Sequence, residues 1–240
     1  MSFDSTKIVD KFAFETLQLV VRHSLIQIRY MSLPNENKLI MSECRREFEE
    51  LLRSTGRENI EYVIEDIAEL GFFEAPASTK FHLNEEGGLC QHSLNVCRIA
   101  LRLREQMIDM MPDMEERLSR DSVIIASLLH DVCKSDIYKP TILKKKNDLG
   151  TWEDVPGYTV DYNNFPVGHG EKSVIVILRC GFDLTNDEIL AIRWHMTAWD
   201  LPFQSADIKS NLNTARENCP LLCLIQSADS LAAGIIEIKS

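Results

Sequence analysis

The chain has 240 residues, 45% hydrophobic and 26% charged, with only 10 glycines and 8 prolines, which excludes a disordered or low-complexity polymer and allows a real core. Its formal net charge of -11 opposes binding to bulk nucleic acid or an anionic membrane, so a phosphate-bearing substrate has to be captured by local cations in a pocket. The scattered cysteines Cys44, Cys90, Cys97, Cys133, Cys180, Cys219 and Cys223 form no CxxC pair, and no leader or bilayer-length apolar run is present, which predicts a cytoplasmic protein with reduced thiols.

Apolar residues from Ile8 to Ile28 recur at helical intervals and predict a first helix from Lys7 to about Tyr30, with His23 on it in a structural or surface role. Pro34 and Asn35 break that pattern, and helices follow at about Glu36 to Leu52 and Glu58 to Leu70, the second ended by Gly71. Residues 1–75 are thus expected to be a helical segment packing on a core formed by residues 76–240. After Gly87-Gly88 a helix is predicted from about Leu89 to Met110, then a nearly central one from Val123 to about Cys133, whose first seven residues have no polar face. From Tyr138 to Phe165 helical periodicity is lost, and this stretch is expected to hold a β-hairpin with arms near Thr141 to Lys145 and Tyr158 to Asp161. Helices resume at Gly170 to Cys180, at Asn186 to His195 after the cap-like Thr185, and from about Arg216 to Ile238. The fold class is all-α, a helical bundle with one small hairpin excursion.

His92, His130, His169 and His195 stand at or near the ends of separate predicted helices, in apolar or glycine-bearing surroundings. His130-Asp131 closes the most apolar helix; consecutive side chains diverge by about 100°, yet both can reach one ion lying off the helix end. A buried carboxylate there is costly without a cation, and Asp229 raises the same problem inside Leu221 to Ala233, a segment with almost no other charge. Nitrogen and oxygen donors together suit a borderline or hard divalent metal.

The order Gln91-His92-Ser93, an apolar helix ending in His130-Asp131, and Ser227-Ala228-Asp229-Ser230 resembles the HD superfamily of metal-dependent phosphohydrolases, over roughly residues 85–235. The resemblance implies an HD-domain helical bundle in which His92, His130, Asp131 and Asp229 bind a divalent ion. Gly168-His169-Gly170 and Arg193-Trp194-His195 look like the extra histidines of the binuclear branch, which implies a second ion on His169 and His195 and a bridging role for Asp131. Lys134 resembles the lysine that contacts substrate phosphate in many relatives. The Gly-Tyr-Pro element of the cyclic-dinucleotide phosphodiesterases is missing, as is the Glu-Asp pair of the alarmone hydrolases, so neither substrate carries over. The late histidines are also similar to those of HD-type exoribonucleases, without a nucleic-acid-binding domain ahead of them.

The expected function is hydrolysis of a phosphate ester, in a nucleotide or short oligonucleotide, by metal-activated water, with Asp131 and Lys134 as catalytic residues. Lys134, Lys172 and Arg193 are the expected cations for substrate phosphate, because each lies within a few residues of a ligand in an acidic chain. Ligand types admit Mn, Fe, Zn, Ni, Co or Mg, with two ions expected. Long double-stranded nucleic acid and membrane are not expected partners. The competing readings are a non-catalytic nucleotide-binding regulator on the same frame and a di-iron oxygenase. Lys144-Lys145-Lys146 is expected at an exposed hairpin tip or lid, and Trp152, Tyr158, Tyr162 and Phe165 either stack a base or pack back on the bundle.

Overall fold

The computed structural model describes residues 34–162, 165–197 and 206–238, with 34–36 and 206–208 described by backbone alone; the helix expected from Lys7 to Tyr30 lies outside them. The chain divides into compact units Met1–Ile40 and Met41–Ser240, and the described part of the first is the opening of helix α1. Helix α1 (Pro34–Arg53) starts two residues ahead of the expected Glu36, because Pro34 sits in the first turn, where a missing N–H is no loss.

Helix α2 (Ile60–Glu69) buries Ile60, Val63, Ile64 and Ile67, spaced at three and four residues. Together with Phe48 and Leu52 of α1, and with Phe72 and Phe73, they join one apolar cluster shared with the later helices of the second unit. Helix α3 (Gly88–Met110) and the short α4 (Met114–Arg117) lead to α5 (Arg120–Leu129), capped by the Ser119 hydroxyl, which accepts from the Ser122 N–H. Every residue from Val123 to Leu129 is buried, as the featureless apolar run demands.

Helix α5 stops four residues before the expected Cys133. The His130 ring Nδ1 takes the Ser127 carbonyl at 2.8 Å, the acceptor that the amide of residue 131 would use in a continuing helix. Tighter turns follow, with the Val132 N–H on the Leu129 carbonyl and the Lys134 N–H on that of Asp131, before the one-turn α6 (Lys134–Ile137).

Strand β1 (Tyr138–Lys146) pairs antiparallel with β2 (Trp152–Val160), from Tyr138↔Val160 to Lys146↔Trp152. The arms are longer than expected, since Pro156-Gly157 lies within β2, opposite Ile142 and Thr141, and makes no turn. A two-stranded ladder leaves alternate amides of each strand unpaired, so a proline fits there. The turn lies instead at residues 147–151, where the Asn147 side-chain oxygen accepts from the Leu149 and Thr151 amides and Gly150 takes φ 76°. Lys144 to Lys146 end β1 exposed; Lys144 pairs with Asp154 and the Lys146 ammonium lies over the exposed Trp152 ring.

Helix α7 (His169–Arg179) precedes α8 (Asn186–Trp194), whose start is a reciprocal box: the Thr185 hydroxyl accepts from the Glu188 N–H and the Glu188 carboxylate from the Thr185 N–H. That fully buried carboxylate also takes the Arg57 guanidinium at 2.9 Å and the Ser122 hydroxyl at 2.8 Å, tying α8 to α5 and to the turn before α2.

The single helix expected from Arg216 to Ile238 is broken into α9 (Ala206–Asn218) and α10 (Pro220–Leu231), because Pro220 offers no N–H to continue the first and begins the second. Segments on either side turn by 102°. Helix α10 then widens into one π turn, Ala232–Ile236, closed by the Glu237 N–H on the Ala232 carbonyl. Helix α3 packs against α5 and α10, and α8 against α5, α7 and α10. The seven cysteines are all free thiols, and among the described residues no single helix is long and apolar enough to cross a membrane.

Candidate metal centre

Helix ends leave their last carbonyls without partners, and the chain uses this twice. His130 follows Leu129 with φ -56° and ψ -35°, and His195 follows Trp194 with φ -56° and ψ -34°. Each lays its Nδ1 on the carbonyl three residues back, Ser127 at 2.8 Å and Ile192 at 2.7 Å. A carbonyl only accepts, so Nδ1 carries the proton and Nε2 is left as a lone pair facing inward. Because α5 and α8 pack together, the two rings meet with centroids 4.8 Å apart.

His92 comes from the opening turns of α3, and its ring centroid lies 5.3 Å from that of His130. His169 begins α7, 5.4 Å from His195 by centroid. Gly170 permits this approach, since a Cβ there would stand 2.6 Å from the Ile192 carbonyl oxygen and nearer still to that of Arg193. The Ser173 hydroxyl accepts from the Cys133 N–H and fastens the turn after Asp131 to α7.

Asp131 lies at the middle, 1% exposed. Its Oδ2 is 3.1 Å from His130 Nε2 and 3.5 Å from His92 Nε2, whereas Oδ1 is 2.5 Å from His169 Nε2 and 3.4 Å from His195 Nε2. Asp229, on α10, brings Oδ1 to 3.2 Å from His92 Nε2. The Lys134 ammonium, buried one turn beyond Asp131, reaches Oδ2 at 2.5 Å.

Burial penalises charge on all of these groups, and the charges themselves oppose it. For Asp131 burial would favour the neutral acid, but Lys134, His130 and His169 hold its carboxyl well below the usual range. His92 is pushed down by burial and up, more strongly, by Asp131, Asp229 and Glu237, so it stands well above 6.5. The same contest raises His169 to about 10, with Cys133 and Asp131 prevailing over burial. His195 goes the other way, lowered by burial and by the neighbouring His130 and His169. Protons on His92 and His169 therefore occupy the place a cation would take.

The cluster fits a divalent ion. Among the described residues the Nε2 atoms of His130 and His195 are buried without a hydrogen-bond partner, an arrangement that costs free energy unless a cation accepts the lone pairs. Donor atoms of His92, His130 and Asp229 lie within 4.8 Å of one another, as do those of His130, Asp131 and His195, and a mixed nitrogen and oxygen set suits borderline or hard metals.

Of the other expected cations, Lys172 is 1% exposed and bonds Asp136 at 2.5 Å and the Phe165 carbonyl at 3.3 Å, with its ammonium over the Phe165 and Tyr162 rings. Arg193 reaches Glu171 at 2.7 Å and stacks on Trp194. Sequence reasoning missed His82 and Glu237: the Glu237 carboxylate meets His92 Nδ1 at 3.0 Å, and the His82 ring centroid lies 5.1 Å from that of His92. Neither carries a helix-end signature that would have drawn attention to it.

This geometry belongs to a known class. The chain is a member of the HD domain family, matched over residues 89–234, and so of the superfamily of metal-dependent phosphohydrolases. It is also similar to the dihydroneopterin 2',3'-cyclic phosphate phosphodiesterase of Methanocaldococcus jannaschii, 35% identical over 89 residues that make up 37% of this chain and 32% of that protein. The chain thus aligns with about a third of that relative's length. No solved structure gives a significant match.

Proposed function

We propose that this protein hydrolyses a small phosphate ester, with His92, His130, Asp131 and Asp229 holding one divalent ion and His169, His195 and Asp131 a second. The observation that carries the reading is the division of Asp131, one oxygen toward His92 and His130 and the other toward His169 and His195, which supports a role as the carboxylate common to both sets of histidines. A divalent ion held by these residues would polarise a phosphoryl oxygen and lower the pKa of water, which is the chemistry that hydrolysis of a P–O ester bond requires. Nδ1 contacts to backbone carbonyls hold His130 and His195 in the ligating tautomer before any ion arrives. Lys134 is the cation placed for substrate phosphate: its ammonium sits beside Asp131, and its pKa is raised because that carboxylate outweighs burial, so it stays charged at neutral pH. Lys172 and Arg193, paired with Asp136 and Glu171, stand behind Lys134 as cations for substrate phosphate, because their carboxylate partners lie outside the proposed ligand set.

Cyclic phosphodiesters come first among candidate substrates, because the partial relative acts on one, followed by nucleotides and short oligonucleotides. The test is a turnover screen of these three classes with manganese-loaded protein, together with metal analysis. Metal-dependent release of a phosphomonoester or of phosphate is expected. Turnover that survives complete chelation would refute the reading.

A further inference from the structure

His130 and His195 are oriented by carbonyls of their own helices, but His92 has no such means. It stands in the opening turns of α3, where backbone carbonyls are taken up by the helix ladder. Its Nδ1 faces the carboxylate of Glu237, at 3.1 Å from Oε1 and 3.0 Å from Oε2. Glu237 is 5% exposed, and Asn95, one turn beyond His92, donates its side-chain N–H to Oε1 at 3.0 Å. Burying a carboxylate is costly unless it is partnered, and the partner that Glu237 meets here is the His92 ring.

The backbone goes out of its way to put it there. An uninterrupted α-helix returns to about the same face seven residues on, which from Asp229 is Ile236. The π turn at Ala232–Ile236 holds one extra residue, so the face that carries Asp229 is met again at Glu237, while Ile236 is turned outward, 38% exposed. Two acids from one element thus address the two nitrogens of one ring: Asp229 lies at Nε2 and Glu237 at Nδ1. The far side of Glu237 is approached by His82, with Nε2 at 3.9 Å from Oε2. Leu83, next to it, is buried and holds φ 42°, a conformation that non-glycine residues seldom adopt, and its carbonyl accepts from the Ala77 N–H. Both His82 and Glu237 fall outside residues 89–234, the segment matched to the HD domain.

We propose that Glu237 is a positioning residue of the metal centre: by accepting from His92 Nδ1–H it fixes the His92 ring and presents the Nε2 lone pair to the ion, with Asn95 holding the carboxylate in place. The proposal rests on the reading that His92 is a ligand. A carboxylate behind a ligating imidazole also makes that imidazole a stronger donor, and loss of such a partner weakens metal affinity by about ten- to a hundredfold.

The experiment is a manganese titration of the chelator-stripped 240-residue chain, unaltered and as Glu237→Gln and Glu237→Ala, recording affinity and ions bound per chain, with metal-free thermal unfolding alongside. The expected order of affinity is Glu, then Gln, then Ala, because Gln keeps an acceptor oxygen but not the charge. Ion stoichiometry is expected to stay constant across the series. A structural role alone would alter metal-free unfolding and leave affinity unchanged, and that result overturns the proposal. Loss of a whole ion in Glu237→Gln overturns it also, since Glu237 would then be a ligand itself. Should Glu237→Ala fail to fold, Glu237→Gln decides alone. Absence of manganese binding by the unaltered protein removes the ligand role of His92, and the positioning role with it.

Discussion

Asp131→Asn removes one charge from a place where four imidazoles and an ammonium converge, and its consequence can be worked out from the geometry. The substitution preserves shape but turns one oxygen of the proposed shared ligand into an amide nitrogen and strips the charge from the other, so both the side facing His169 and His195 and the side facing His92 and His130 are weakened. An ion that binds only the folded chain stabilises it by about 4 kcal/mol at roughly a thousandfold over its Kd. For a domain of this size about 1 kcal/mol moves Tm by roughly 2–4 °C, so manganese is expected to raise the Tm of the unaltered protein by roughly 8–16 °C. The shift is expected almost to vanish in Asp131→Asn. The metal-free variant also strands the Lys134 ammonium, and breaking a buried pair from one side costs about 3–5 kcal/mol. The double variant Asp131→Asn with Lys134→Met removes both partners and is expected to recover most metal-free stability without recovering the manganese shift. Differential scanning fluorimetry with and without manganese reads all three proteins, with circular dichroism as the check on helix content. A manganese shift in Asp131→Asn equal to that of the unaltered chain would refute the shared-ligand reasoning.

Four further outcomes follow from the same geometry. His169, raised to about 10, and His92, also raised, hold protons at neutral pH that ligation must displace, so manganese uptake is expected to release protons and to weaken as pH falls; calorimetry in buffers of different ionisation enthalpy measures this. In the metal-free protein the sign is opposite: the stability that His169 gains from its partners is full below its unfolded value near 6.5 and is lost as pH rises toward about 10, so metal-free Tm is expected to decline over that window while the manganese shift grows. Gly170→Ala places a methyl group against the Ile192 and Arg193 carbonyls and is expected to cost about 1–3 kcal/mol and to weaken retention of the second ion, read by unfolding and by metal analysis after dialysis. His169→Ala and His195→Ala are expected to lower the number of ions per chain, and an unaltered ratio in both would remove the two-ion proposal.

The parts of the centre that sequence could reach are those written in local pattern. An apolar run with no polar face has to be central, and a His-Asp pair at its end has to be paid in cations; the structure shows that end as a helix terminus whose imidazole takes a backbone carbonyl. The hairpin was visible as lost periodicity, but its register was not, because Pro156-Gly157 reads as a turn and becomes strand only when a partner is laid beside it. The break at Pro220 was masked by apolar spacing that runs on across it, although the proline itself was the signal. Glu237 was out of reach for a different reason: its face depends on a turn one residue wider than helical spacing assumes, and no pattern in Ala232 to Ile236 announces that turn. His82 depends on the fold of residues 77–88 against α3, which is tertiary from the start.

The hairpin leaves the bundle at Ile137 and comes back to the same atom, for the Asp161 N–H donates to the Ile137 carbonyl at 2.8 Å. Its root is therefore stapled, and what hangs beyond the staple can lengthen, shorten or change sequence without pulling on His130 and Asp131 behind it or on His169 ahead of it. Such a pendant is the natural ground for divergence: descendants of one hydrolytic frame can acquire new neighbours for the reacting group by rewriting the Asn147 to Thr151 tip, leaving the chemistry underneath undisturbed.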